Sequence, residues 1–139
     1  MNPMDITHFR KFDFSEEQIE KLWRNALKDL NIAKRDSIAE VKFSFSYSAL
    51  LKSGITCLAK IDGVRIRSTQ GHHIKLLEKF SELLNEPQIM SVGNAMRAKR
   101  NTDLYGEGIC ITEKEAEEFL DFVKTIFNKA SKKLFGHGL

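Results

Sequence analysis

Apolar residues recur at steps of three and four through most of the chain, the spacing that places side chains along one face of an α-helix. The clearest series starts at residues 15–18 (SEEQ), which fit a capping box that satisfies the free amides of a helix start. It continues to Ala33 and places Trp23 on the apolar face, where it is expected to pack in the core. The pattern therefore predicts a first helix that begins about Ser15.

A second helix is predicted from residues 37–40 (SIAE), which also fit a capping box, to Asp62 and Gly63. Residues 41–47 alternate as a strand would, but an isolated strand without a pairing partner is unstable, so helix is the preferred interpretation. Residues 62–70 are expected to form a loop. The residues expected on the buried side of this helix are Ile38, Val41, Phe45, Ala49, Leu51, Ile55 and Leu58.

Three more helices are predicted in the second half of the chain. One opens at Gln70 or Gly71 and is broken by residues 85–87 (NEP), because Pro87 suits the first turn of a fourth helix at about 87–103. The fourth helix is the most polar, and residues 106–108 (GEG) are expected to end it. Residues 112–115 (TEKE) form a third capping box and open the last helix. The apolar residues of the fourth helix are Val92, Ala95 and Met96.

Five amphipathic helices with short connections predict an all-α fold, an antiparallel up-and-down four-helix bundle with an additional short helix. The bundle is expected at residues 15–135, after an N-terminal leader at 1–14 that can pack back on it and before a flexible tail at 136–139. A chain of 139 residues, 42% of them hydrophobic, can fill one core of this kind.

Charge and cysteine content narrow the class of protein further. The net charge of +3 allows an anionic partner but does not require a surface for duplex DNA. Cys57, on an apolar helix, is expected in the core, and with Cys110 it forms no CxxC motif; a reducing compartment is favoured, although a disulfide between the two stays open. No signal-peptide pattern and no long apolar run are seen, so we expect a cytoplasmic protein that does not enter a membrane.

The polar fourth helix carries the candidate site. Arg97 and Arg100 are three residues apart and share a helix face, and Asn101 lies one turn from Arg97. With Tyr105, they offer guanidinium, amide and phenol groups that suit phosphate or base recognition. For each residue taken singly, the alternative is a solvated helix face, with arginine favoured near the helix C-terminus by the dipole.

No metal site and no cofactor are predicted. His72 and His73 are adjacent and are expected to point apart on a helix, and no acidic or cysteine-rich segment has ligand spacing. Gly106 and Gly108 are more typical of a helix stop than of a phosphate-binding loop.

Residues 100–105 (RNTDLY) resemble the Arg–x(4–6)–His motif of HEPN domains, the higher eukaryote and prokaryote nucleotide-binding helical bundles. Residues 47–51 (YSALL) and 71–77 (GHHIKLL) add a second similarity, and the whole covers roughly residues 15–131. The resemblance implies a homodimer in which two Arg motifs face each other. In active members, this pair forms a metal-independent endoribonuclease in which His acts as acid or base and Arg steadies the phosphate. Many members are toxins paired with a minimal nucleotidyltransferase.

Tyr105 stands where that motif has His, and this departure changes what the resemblance implies. A phenol with a pKa of about 10 is a poor base at neutral pH, whereas an imidazole at about 6.5 is well matched. Self-sufficient cleavage is therefore expected to be weak or absent unless His72 or His73 replaces the missing base. For the histidines, a surface pair is the alternative.

Two functions remain open. The first is an RNA- or nucleotide-binding protein of HEPN type, with an endoribonuclease toxin as its active form and Arg97, Arg100, Asn101 and Tyr105 as its site. The second is a non-catalytic dimeric subunit that binds substrate and partners a minimal nucleotidyltransferase. The alternative to both is a helical bundle whose site has been lost altogether.

Overall fold

The computed structural model describes residues 7–102 and 111–139. This part of the chain is mostly helical, which confirms the all-α prediction at that level, and it also holds one small ribbon of two strands. In chain order the elements are β1 (Phe9–Lys11), α1 (Glu16–Arg35), α2 (Ala39–Cys57), a π-helical turn (Leu58–Asp62), β2 (Val64–Ile66), α3 (His72–Leu84), α4 (Pro87–Thr102) and α5 (Glu113–Phe135).

The capping boxes of α1 and α5 are confirmed. Ser15 Oγ accepts a hydrogen bond from the Gln18 amide at 3.1 Å, and the Ser15 amide donates to Gln18 Oε1 at 2.9 Å. Thr112 and Glu115 make the same reciprocal pair at the start of α5. Each box satisfies two amides that the helix itself leaves without partners, so the local sequence is sufficient to set both helix starts.

The capping box predicted for α2 is wrong. The N-cap residue is Ile38, which makes no side-chain cap, and Ser37 lies outside the helix. Asp36 Oδ1 instead accepts a hydrogen bond from the Ile38 amide at 2.9 Å. A carboxylate that binds an amide two residues ahead fixes a turn of its own, and this turn links α1 to α2 in place of the predicted cap.

α2 is the central helix of the fold, and residues 41–47 are helical as predicted. It packs against α1, α3, α4 and α5, so it buries side chains on several faces rather than along one stripe. The predicted buried stripe is therefore partly wrong: Ile38 is 56% exposed, whereas Phe43, Tyr47 and Leu50 are fully buried. A helix with neighbours on several sides has no single apolar period, which explains the strand-like alternation.

The two-stranded ribbon corrects the prediction of a plain loop at residues 62–70. β1 and β2 are antiparallel, with Phe9 opposite Ile66 and Lys11 opposite Val64. Phe9 is only 3% exposed and belongs to the core, so this part of the leader packs back on the helices as expected. A strand of three residues has too few alternating positions to be predicted from the sequence. The two strands are stabilised by pairing between residues that are more than fifty positions apart.

The breaks around α3 and α4 are where the sequence predicts them. Gly71 (φ 76°) precedes α3 and Asn85 (φ 52°) follows it, both in the left-handed conformation, and Pro87 opens α4. The predicted helix stop at residues 106–108 lies outside the described residues. On α4, Ile89 is fully buried, whereas Ala95, predicted to be one of its apolar contacts, is exposed.

The last four residues, predicted to be a flexible tail, make hydrogen bonds to α5. Ser131 Oγ donates to the carbonyl of His137 at 2.8 Å, and the amide of Leu139 donates to Asn128 Oδ1 at 3.2 Å. Among the described helices, none is long and apolar enough to cross a membrane.

Candidate functional site

The candidate site lies where α2, the start of α3 and the end of α4 meet. α2 contributes Tyr47, the first turn of α3 contributes His72 and His73, and the last two turns of α4 contribute Arg97 and Arg100. We call these five residues the Tyr47 cluster. Four of them were predicted as site residues from the sequence, and the fold brings these four to one place although twenty-three residues separate the histidines from the arginines.

Tyr47 is the centre of the cluster and is fully buried. The Arg100 guanidinium lies 5.3 Å from the centroid of the Tyr47 ring, within the range of a cation–π contact. The His73 ring is 6.2 Å away from the same centroid in an edge-on arrangement. A cation and an imidazole therefore both lie against the same phenol ring.

The turn before α3 orients the two histidines. The His72 amide donates to the carbonyl of Thr69, and His72 Nδ1 lies 2.7 Å from the same carbonyl oxygen, a distance at which a protonated Nδ1 donates. The prediction that the two rings point apart is wrong, because their centroids are 4.2 Å apart. In the first turn of the helix the His72 ring is turned back to Thr69, and this brings it against His73.

Arg97 is held by its own helix. Its Nε donates to Asn94 Oδ1 at 3.0 Å, one turn earlier on α4. This bond uses one of the five guanidinium N–H groups. The side chain borders a small cleft of about 180 Å³, which is lined by Gly71, His72, His73, Ile74 and Arg97.

The described side chains of the cluster are cationic or neutral. Within the described residues, no acidic side chain forms an ion pair with Arg97 or Arg100. Lys99 lies between them in the sequence but turns to α5, where its Nζ is 2.7 Å from Glu115 Oε2. No described carboxylate therefore competes with an external anion for the two arginines.

Burial and charge adjust the acid–base properties of the cluster. Burial raises the pKa of Tyr47, an effect that the nearby Arg100 and Arg97 partly oppose. Burial lowers the pKa of His73, and the positive charges of His72, Arg100 and Arg97 lower it further. At neutral pH the site consequently holds a protonated phenol and a neutral imidazole beside two guanidinium groups.

The remaining predicted site residues lie outside what the structure describes: Tyr105 altogether, and Asn101 for its side chain. Tyr47 was missed as a site residue, although it opens the YSALL similarity. The sequence signal that could have indicated Tyr47 is a tyrosine within a helix expected to be buried, because a buried phenol usually needs a hydrogen-bond partner for its hydroxyl. Its Oη atom is inaccessible to solvent and has no hydrogen-bond partner among the described residues.

The described part of the chain offers neither a metal-binding cluster nor an activated thiol. Its histidine, cysteine and acidic side chains include no group of three that could hold a metal ion. Cys57 is a buried free thiol, as predicted, and burial raises its pKa to about 12, so it is not an activated nucleophile. Cys110 lies outside the described residues.

The fold and the cluster together define an α-helical protein with a partly buried cationic site. Comparison of this chain with family models, with curated proteins and with solved structures finds no match. The case for a function therefore depends on the chemistry of the Tyr47 cluster and on the sequence resemblance.

Proposed function

We propose that this chain is a HEPN-like RNA- or nucleotide-binding protein, and that the Tyr47 cluster binds the phosphate groups of its ligand. The observation that carries the proposal is the meeting of Arg97 and Arg100 with His72 and His73 around a buried tyrosine.

Phosphate is the ligand group that best fits this chemistry. Guanidinium groups bind phosphate oxygens through two parallel N–H bonds, and such charge-assisted bonds are about twice as strong as neutral ones. Arg97 and Arg100 have no carboxylate partner among the described residues to compete for them. A ligand phosphate would therefore gain two cationic partners without displacing any described carboxylate from them.

The proposal includes the HEPN-like architecture, an antiparallel up-and-down four-helix bundle with an additional short helix. In its support, α2 contacts all four other described helices, and α3, with 13 residues, is the shortest of the five. The proposal also includes a cytoplasmic homodimer in which the arginines of two copies face each other, with a minimal nucleotidyltransferase as partner. These parts rest on the resemblance of residues 100–105 to the family motif.

A second function, metal-independent RNA cleavage, is favoured by His73. A general base must be neutral at the working pH, and burial together with the neighbouring cations lowers the pKa of His73. His73 lies against the same phenol ring as Arg100, so a base and a phosphate-binding group are close together. We therefore propose His73, rather than Tyr105, for the role that the family motif gives to its histidine.

Binding is tested by fluorescence anisotropy with a labelled single-stranded RNA and by calorimetry with adenosine monophosphate. We expect Arg97→Ala and Arg100→Ala each to weaken binding about tenfold or more, and to lower the salt dependence of RNA binding by about one unit of slope. Arg24→Ala, which removes an exposed arginine from α1, is the matched control and should bind as the wild type does. Unchanged binding by both cluster variants would overturn the proposal.

Cleavage is tested separately with the same RNA in buffer containing a metal chelator. We expect His73→Ala to lose cleavage but to retain most of the RNA affinity, because the two arginines remain. Binding without any cleavage by the wild type would leave the non-catalytic subunit as the function. Equal cleavage by wild type and His73→Ala would remove His73 from the mechanism.

A further inference from the structure

The hydroxyl of Tyr47 is an exception to a general rule of protein interiors. The residue is fully buried, and its Oη has no hydrogen-bond partner within the described residues. Buried polar groups are bonded in the great majority of cases, and an unpaired one needs an explanation. Ser46 Oγ is the other such atom. A serine on a helix can turn to a backbone carbonyl of the preceding turn, whereas the position of a phenol oxygen is fixed by its ring.

Among the described neighbours of Tyr47, the two arginines cannot accept its proton, and His73, which has an acceptor nitrogen when neutral, makes no hydrogen bond to it. Arg97 and Arg100, whose charges act on this hydroxyl, carry only hydrogen-bond donors, because a guanidinium has no acceptor atom. Burial keeps the phenol protonated, so Tyr47 Oη is itself a donor at neutral pH. Three donor groups thus surround one region, and none can satisfy another. The missing component is an acceptor with negative charge.

A phosphate group supplies this acceptor. Its oxygens can accept from two guanidinium groups and from a phenol at the same time. Arg100 is exposed, and its contact with the Tyr47 ring is not reinforced by an ion pair within the described part of the chain. Its side chain can therefore turn from the ring towards a ligand.

On the basis of the proposed function, we infer that the Tyr47 hydroxyl is a ligand-binding group that donates a hydrogen bond to the phosphate held by Arg97 and Arg100. The inference gives the site a third phosphate contact, on the central helix, which the sequence motif of α4 does not contain. It also restricts the ligands to those whose phosphate group can reach the buried Tyr47 ring, either because the ligand is small or because it is extended.

The substitution Tyr47→Phe tests this inference because it removes the hydroxyl and keeps the ring that supports Arg100 and His73. Binding is measured by calorimetry for inorganic phosphate and adenosine monophosphate, and by anisotropy for single-stranded RNA. We expect a loss of affinity of about tenfold for each probe, since a hydrogen bond to a charged group is removed. The melting temperature should stay the same or rise slightly, because the lost hydroxyl has no hydrogen-bond partner among the described residues.

Ser46→Ala is the matched control, since it removes the other unpaired buried hydroxyl one residue away on the same helix. It should bind all three probes as the wild type does. If Tyr47→Phe binds as tightly as the wild type while Arg100→Ala does not, the inference is wrong and the proposed function stands. A drop in the melting temperature of Tyr47→Phe would show a structural bond at the hydroxyl and would also overturn the inference. If the wild type binds none of the probes, the proposed function itself fails.

Discussion

Gly54 allows α3 to approach the central helix, and the effect of adding one methyl group there can be worked out from the structure. A Cβ atom at Gly54 would lie 2.9 Å from Phe80 Cδ2 and 3.1 Å from Phe80 Cγ. Ordinary contacts between carbon atoms are about 3.5–4.0 Å, so one of the two helices or the ring must move by about half an ångström. Phe80 is fully buried and cannot turn into solvent.

Two opposing effects decide the stability of Gly54→Ala. Alanine in a helix interior is favoured over glycine by about 1 kcal/mol. Forcing an extra methyl group into a packed core costs about 1–3 kcal/mol. We expect the steric effect to win, with a net loss of about 1 kcal/mol and a fall in melting temperature of about 4 °C for a domain of this size. Because α3 begins with the two histidines, a displacement of α3 should also weaken phosphate binding.

Thermal and urea unfolding, followed by circular dichroism, measure this loss for Gly54→Ala in two backgrounds. In the Phe80→Leu background the ring is gone, so the same alanine should become neutral or stabilising. The change of sign isolates the clash from the helix propensity, and we expect a coupling energy of about 1–2 kcal/mol between the two positions. If Gly54→Ala stabilises the protein equally in both backgrounds, the ring yields without cost and the reasoning is refuted.

Three further predictions concern single side chains. Lys42→Met should destabilise the fold by about 1–3 kcal/mol in urea unfolding. Buried Lys42 Nζ donates a hydrogen bond to the Ala33 carbonyl at 2.8 Å, and the substitution removes this donor. An unchanged unfolding midpoint would contradict the prediction. Cys57, with its pKa of about 12, should stay unmodified by iodoacetamide at pH 8 in the native protein and react after unfolding, as mass spectrometry of its peptide can show. His73 should titrate below its ordinary pKa, so its contribution to stability is present above about pH 6.5 and is lost as the pH falls through the lowered value. Bound phosphate should raise the pKa of His73 in an NMR titration, and a fall would argue against binding at the cluster.

The sequence was sufficient wherever neighbouring residues decide the structure. The capping boxes at Ser15 and Thr112 satisfy helix amides within one turn, and Pro87 marks the break between α3 and α4 for an equally local reason. The arginines of α4 were recognisable as a candidate site because their spacing places them on one helix face.

Tertiary structure decided the features that depend on distant parts of the chain. The β1–β2 ribbon exists because Phe9 and Ile66 meet across the fold, and no local pattern of three residues shows that pairing. The position of Tyr47 in the cluster could not be predicted from the pattern of its own helix, because α2 has neighbours on several sides and no single apolar stripe. The sequence by itself determined which side chains could bind a phosphate. Only packing determined that a buried phenol lies among them, because the close approach of α2, α3 and α4 removes its hydroxyl from water and leaves it beside cations.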